Sequence, residues 1–343
     1  MVDALHQEIL LRKDFFDGQE VETIYFGGGT PSILSAAEIN SLMDSLAAVH
    51  PISKEAEITL EANPDDLTLD KIEELKNTPI NRLSIGVQSF REQDLQWMNR
   101  AHNAQQSNDC IKRAQDHGFD NLTIDLIYGL PHLSDEDWQR NLETFFKLNI
   151  DHLSAYCLTV EPQTALDHFI KTKKEPPLDE LKARNQMLLL MEAIPANGFE
   201  QYEISNFAKN NKYARHNSSY WKGKSYLGLG PAAHSFSGNQ RMWNVANNAK
   251  YIHSIQKNVL PLNTEILSKN DHFNEMVMLG LRTIWGIRKD KVLTDFSKND
   301  WNKLVMEAEA FQQKKWLSIQ HDCIVLTTQG RLKADFIAGE LFV

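Results

Sequence analysis

The feature that most constrains this chain is an alternation, over roughly its first 165 residues, of short β-rich runs with helix-period stretches. A chain patterned in this way builds a parallel α/β sheet or barrel. Strands are predicted over 23–29, 57–63, 82–89, 121–129 and 152–160, separated by helical segments such as 36–49 and 66–76. Parallel strands covered on both faces normally read as unbroken Val/Ile/Leu runs, and these do not. Ile58, Leu60 and Ala62 alternate with Thr59, Glu61 and Asn63; Leu83, Ile85 and Val87 with Ser84, Gly86 and Gln88; Leu122, Ile124 and Leu126 with Thr123 and Asp125. With a side-chain period of two, one face packs on helices and the other lines a polar interior. A carboxylate or amide inside is costly unless it meets a partner or ligand, so the expected active site is a cavity toward the carboxyl ends of the strands.

Past residue 165 the alternation stops. The charged stretch 171–175 with Pro176 and Pro177 reads as a connector, followed by a helix over 178–196, a strand-like run over 201–207 and an aromatic, Gly-rich stretch over 213–237. From Phe273 onward two helical patterns lead to a predicted hairpin, 316–320 with 323–327, and a last helix. Helices followed by a hairpin suggest a winged-helix-like module, structural or partner-binding in role. The expected divisions are 1–165, 166–270 and 271–343.

With 343 residues, 42% of them hydrophobic, the chain can bury a sizeable core. Its net charge of −10 disfavours a nucleic-acid partner. No apolar run approaches the roughly 20 residues needed to span a bilayer, and the N-terminus reads as an amphipathic helix carrying Glu8, Arg12, Lys13 and Asp14 rather than as a signal peptide. A cytoplasmic location is expected. Cys110, Cys157 and Cys323 are scattered, odd in number and outside any metal-ligand spacing, and they read as small buried hydrophobes.

The run from Ile24 to Pro31 places Gly27, Gly28 and Gly29 where a strand turns toward a helix, so backbone groups can approach a ligand closely. Four further segments accompany it: Leu60-Glu61-Ala62-Asn63-Pro64, Gly86-Val87-Gln88-Ser89-Phe90, Asn99-Arg100-Ala101-His102 and Asp125-Leu126-Ile127-Tyr128-Gly129-Leu130-Pro131. In order, spacing and placement at strand ends these resemble the core of the radical-SAM HemN/HemW family, and the resemblance spans nearly the whole chain.

The resemblance implies an α/β fold: a partial radical-SAM (β/α)6-type barrel lacking its first strand, then a smaller α+β C-terminal region with a winged-helix-like end. It also implies that Gly28, Gly29, Thr30, Glu61, Gln88, Arg100 and Asp125 hold S-adenosylmethionine. The chemistry agrees, since a sulfonium amino acid with a ribose calls for carboxylate acceptors such as Glu61 and Asp125 and for a bidentate donor such as Arg100. The family's [4Fe-4S] cluster rests on a CxxxCxxC loop, which is absent here, so the chain as written should not cleave S-adenosylmethionine. Two explanations compete, an N-terminally truncated sequence whose full-length form carries the cluster and a cluster-less paralogue, and truncation is the one expected.

The segment His216-Asn217-Ser218-Ser219-Tyr220-Trp221 resembles the HNxxYW pattern of the family's haem-chaperone branch. It makes His216 the candidate haem ligand, with aromatic neighbours able to pack on a porphyrin. The segment 227–236, which ends in the His234-Ser235 pair, also fits the family, with Pro231 and Ala232 departing from its glycine-rich turn. The implied function is delivery of haem to apo-haemoproteins, those of the respiratory chain among the recipients. The alternative is an oxygen-independent coproporphyrinogen III oxidase. A third class, a non-redox barrel enzyme using Glu61 and Asp125 as an acid/base pair, leaves the HNxxYW segment without a role.

Overall fold

The computed structural model describes residues 1–343. Five strands follow one another in the first half: β1 (Val21–Phe26), β2 (Ile52–Ala62), β3 (Arg82–Gln88), β4 (Leu122–Tyr128) and β5 (His152–Cys157). With the short β6 (Glu200–Gln201) and β7 (Asn206–Ala208) they form one sheet in the order β1-β2-β3-β4-β5-β7-β6. The steps from β2 to β5 are parallel, with Leu60 opposite Leu83, Leu83 opposite Leu122 and Ile124 opposite Leu153. β7 pairs antiparallel with β5 and closes a small hairpin with β6. The run 201–207 is therefore not one strand but two short ones.

The alternation read from sequence is the packing that forms. Leu60, Leu83, Ile85, Val87, Ile124, Leu126 and Leu153 are all buried. The opposite face carries Thr59, Ser84, Gln88, Thr123 and Ser154, buried as well, so this side of the sheet is polar and enclosed. Capping residues start the intervening helices. Ser35 accepts from the Glu38 amide and Glu38 returns the bond at the head of Ala36–Val49; Asn103 and Gln106 do the same for Ala104–Asp116. Helix Asp135–Lys147 buries Trp138, whose indole N–H donates to the Gln186 carbonyl at 2.9 Å. Losing that ring would cost about 3–5 kcal/mol.

The chain divides into two compact units, one of residues 25–33 and 58–213, the other of residues 1–24, 34–57 and 214–343. They cut across the sequence divisions at 165 and 270. The first unit contains the polar sheet face. In the second, helix Val2–Leu11 packs with Ala36–Val49 and Asn248–Gln256, burying Ala4, Tyr251 and Ile255. Also here are an antiparallel sheet of β8 (His234–Phe236), β9 (Gln240–Asn244) and β10 (Leu262–Ile266), and another of β11 (Ile287–Arg288), β12 (Leu317–Gln320) and β13 (Cys323–Leu326). The β12–β13 hairpin pairs Gln320 with Cys323 across His321 and Asp322, both at positive φ as a two-residue turn requires. Helices Lys269–Leu281 and Lys298–Gln313 precede it.

Two expectations are corrected. Cys157 ends β5 and is exposed, not a buried hydrophobe; Cys110 is buried and Cys323 is partly so. Glu8 and Arg12, read as the polar side of the N-terminal helix, are almost fully buried. Glu8 accepts hydrogen bonds from the Gly230 amide at 2.8 Å, the Asn244 side-chain amide at 2.7 Å and the Tyr251 hydroxyl at 2.6 Å. A helix-period pattern reports which residues are apolar, not which charged ones will be met by buried donors. No helix is long and apolar enough to cross a membrane.

Candidate functional site

The first cluster grows from the ends of β1 to β5. After β1 the chain turns through Gly28 and Gly29 at φ 73° and 79°, a left-handed pair that residues with a Cβ adopt only under strain. Gly27 is constrained differently: a Cβ there would lie 2.5 Å from the Tyr25 ring and 3.1 Å from the Glu61 carboxyl carbon. The bare backbone lets Glu61, from β2, reach the turn. Glu61 accepts from the Gly28 amide at 3.1 Å and from the Tyr25 hydroxyl at 2.7 Å. Burial, and then Glu61 itself, holds the Tyr25 hydroxyl well above the usual phenol range, so it stays a donor. Gly29 and Thr30 follow in the same turn, which runs into a short 3-10 segment, Pro31–Ile33.

Asp125 on β4 faces this group. Its carboxyl is pushed up to about 7, chiefly by burial, with Glu61 adding repulsion; hydrogen bonding with Ser154 and Ser84 and the positive charge of Arg82 pull the other way. Arg100 lies within electrostatic reach of Asp65 and Asp125, and burial lowers its pKa against their pull. Gln88, the last residue of β3, has φ 68°, and the pairing of β3 with β4 slips in register between Ile85 and Gln88. Such an irregularity re-aims a side chain; its amide folds back to where a Cβ on Gly86 would be only 2.8 Å away. Behind the loop His102 bonds the Val87 carbonyl at 3.1 Å and lies 3.6 Å from Asp65.

Glu61, Asp125, Arg100 and the Gly28 amide are thus brought together, Gln88 borders them on β3, and Gly29 and Thr30 hold the turn without a bond to Glu61. Sequence reasoning missed Tyr25, Ser154 and Asp65 as members. The signal for Ser154 was available, because His152, Ser154 and Tyr156 alternate with Leu153 and Ala155 as polar and apolar residues do on the other strands. Beneath Asp125 this face continues as a buried network. His152 bonds Thr123 at 2.6 Å and the Tyr202 hydroxyl at 2.8 Å, and Ser154 donates to Asn206 at 2.8 Å. Burial depresses the His152 pKa well below the ordinary imidazole value, so the ring is neutral.

The second cluster is carried by the helix Arg215–Trp221. Its N-cap, Ala214, offers no side-chain acceptor. The buried carboxylate of Glu57, on β2, takes that role, accepting from the Arg215 amide at 3.1 Å and the His216 amide at 2.9 Å. The His216 ring is engaged on both nitrogens, Nδ1 with the Thr23 hydroxyl at 2.8 Å and Nε2 with the Tyr220 hydroxyl at 3.0 Å. The two rings of this i, i+4 pair meet edge to face at 5.0 Å, and Tyr220 packs in turn on Tyr226 at 4.5 Å. Lys222 lies over the Trp285 ring at 4.6 Å, and Arg282 over Trp221 at 5.4 Å. His234 is exposed and stacks on Trp243 with ring centres 6.1 Å apart.

No group of three or more His, Cys, Asp or Glu side chains is placed to hold a metal ion. The three cysteines lie on separate elements and do not make a cluster ligand set.

Comparison with known proteins matches these features to a family. The model of the radical SAM superfamily matches residues 5–145, and that of the HemN C-terminal domain residues 267–332. A protein of Bacillus subtilis (strain 168) named heme chaperone HemW is 32% identical over 341 residues, 98% of this chain and 90% of the relative. A heme chaperone HemW of Mycobacterium tuberculosis (strain ATCC 25618 / H37Rv) is 31% identical over 98% of this chain and 85% of its own length. Among solved structures, coproporphyrinogen III oxidase (HemN) from Escherichia coli, described as a radical SAM enzyme, superposes with a TM-score of 0.85 at 24% identity, covering 99% of this chain and 82% of that one. The shared fold is an α/β core of radical-SAM barrel topology, open here, with a smaller α+β C-terminal region. The chain therefore belongs to the radical-SAM HemN/HemW family, whose members are linked to haem and porphyrin metabolism.

Proposed function

We propose that this protein is a cytoplasmic haem-binding chaperone that hands haem to apo-haemoproteins, with His216 as the axial ligand and a separate S-adenosylmethionine site at the ends of the parallel strands. The observation that carries the haem reading is the fixed imidazole of His216, oriented by Thr23, backed by the Glu57 cap and flanked by Tyr220, which packs in turn on Tyr226. A neutral imidazole held by a hydrogen bond on one nitrogen is a good ligand for haem iron through the other. The names of the relatives in B. subtilis and M. tuberculosis agree with this reading.

The strand cluster fits S-adenosylmethionine group by group. Glu61 and Asp125 accept from amino and hydroxyl groups, Arg100 donates to a carboxylate, and the Gly28–Thr30 turn admits the ligand close to the backbone, with Gln88 bordering it. S-adenosylmethionine would supply a sulfonium group. The residues present bind and orient it, and they offer no thiolate set for a [4Fe-4S] cluster.

Titration with ferric haem tests the proposal. A saturable Soret shift in the wild type that is lost in His216→Ala is the expected result; the same shift in both would refute it.

The second reading is an oxygen-independent coproporphyrinogen III oxidase, supported by a shared fold: the likeness to the E. coli enzyme runs over 99% of the chain. Carbon dioxide release from coproporphyrinogen III, by a variant extended with a CxxxCxxC segment and reconstituted with the cluster, would establish that reading over the chaperone.

A further inference from the structure

The bonding around His216 carries a consequence for how the site is opened. A neutral imidazole has one N–H and one lone pair, so its two hydrogen bonds must run in opposite senses, one donated and one accepted. The partners are an aliphatic hydroxyl, Thr23, on Nδ1 at 2.8 Å and a phenol, Tyr220, on Nε2 at 3.0 Å. The phenol is the stronger acid of the two and the better donor. The favoured tautomer therefore has Tyr220 O–H donating to the Nε2 lone pair and Nδ1–H donating to the Thr23 oxygen.

We infer that the Tyr220 hydroxyl is a built-in competitor for the nitrogen that haem iron takes, and that Thr23 and Glu57 are positioning residues that keep the lone pair of His216 on that nitrogen. This rests on the haem reading of His216 and adds to it a specific order of events. The Tyr220 O–H···Nε2 bond breaks, the Nε2 lone pair forms the bond to iron, the Nδ1–H···Thr23 bond persists, and no proton or electron leaves the pair. Tyr220 is 39% exposed, enough for its freed hydroxyl to turn to water. Glu57 fixes the helix end that bears the ring, through the amides of Arg215 and His216. The arrangement holds haem less tightly than a bare imidazole would, which suits a protein that must release its cargo. Re-formation of the phenol bond favours release.

Two substitutions move binding in opposite directions, which a general loss of folding cannot do. Tyr220→Phe keeps the ring that packs on Tyr226 and removes only the competing proton. It should bind ferric haem about threefold to tenfold more tightly, the effect of one net hydrogen bond, with a faster association rate in stopped-flow. Thr23→Val removes the partner of Nδ1 and should weaken binding by a similar factor, with a shift in the reduction potential of the bound haem and in its histidine-ligand magnetic circular dichroism band. Wild-type rate and affinity in Tyr220→Phe, with the histidine band lost in His216→Ala, would overturn the inference and leave the haem reading intact. A histidine band that survives in His216→Ala would overturn both.

Discussion

The two clusters are assembled in different ways. In the strand cluster, Glu61 is bonded to groups 33 and 36 residues away, Gly28 and Tyr25, and Asp125 stands on the same polar face of the sheet. In the helix cluster, beside the local His216–Tyr220 pair, Arg215 and His216 are bonded to Glu57 and Thr23, 158 to 193 residues away. The first is a consequence of pleating, because any parallel sheet with one polar face gathers alternate side chains at its strand ends. The second depends on particular long-range pairs. One site should therefore tolerate changes outside its own polar residues, whereas the other should respond to distant ones.

The largest effect expected is on stability and falls outside both clusters. Glu8→Ala leaves the Gly230 amide and the Tyr251 hydroxyl without their acceptor, the Asn244 amide with only the Gly230 carbonyl, and Arg12 without its neighbouring charge. A loss of about 3 kcal/mol in urea unfolding is expected. An unchanged midpoint would mean that long-range carboxylate pairing does not govern this part of the molecule. Next, Arg100→Ala should weaken S-adenosylmethionine binding about thirtyfold by titration calorimetry, as for loss of a charge-assisted hydrogen bond, while leaving haem binding untouched. Equal loss of both ligands would erase the distinction between the sites.

A third effect is a slope in pH. Asp125 is protonated in the folded protein up to about 7 but in the unfolded chain only up to 3.8. Between these values the folded state binds the extra proton, so the contribution of this group to stability falls as pH rises through that window and is flat on either side. Asp125→Asn should remove that slope from unfolding free energies measured at successive pH values; a slope identical to wild type would show that another group sets it. For the same reason, if the carboxylate accepts from the ligand, wild-type affinity for S-adenosylmethionine should decline below pH 7. The smallest effect is that of Glu57→Gln, which keeps an acceptor at the helix end but loses the charge. It should lower stability by about 1 kcal/mol and haem affinity slightly, and equal wild-type values would remove Glu57 from the positioning set.

The same contrast explains what could be read beforehand. Strand runs, faces and the polar interior were readable because period-two alternation is a local property of 58–63, 83–88 and 122–126. The motif residues Glu61, Arg100 and Asp125 were found by resemblance, and the structure adds why they cohere: Tyr25 donates to Glu61, and Ser84 and Ser154 hydrogen-bond with Asp125. The positive φ of Gln88 was invisible, since glutamine carries no signal for a left-handed backbone. His216 stood out in its motif, yet Thr23 and Glu57 did not, because a threonine and a glutamate in strands 193 and 159 residues upstream look like ordinary alternating polar residues. Glu8 and Arg12 were misread for a related reason. A charged residue on a helix is assigned to water by default, and only the folded chain shows the donors that wait for it.

The pairing of Glu8 bears on synthesis. Its three partners are 222, 236 and 243 residues downstream, so during synthesis the helix Val2–Leu11 carries a carboxylate whose acceptor role stays unfilled until those partners emerge. Contacts of such sequence separation form late and slowly. That helix must wait, hydrated, until residue 251 has emerged, while strands β1 to β5 and their helices can already associate. Pausing translation just before residue 230 should leave the amino-terminal helix open to protease, and extension past residue 251 should protect it.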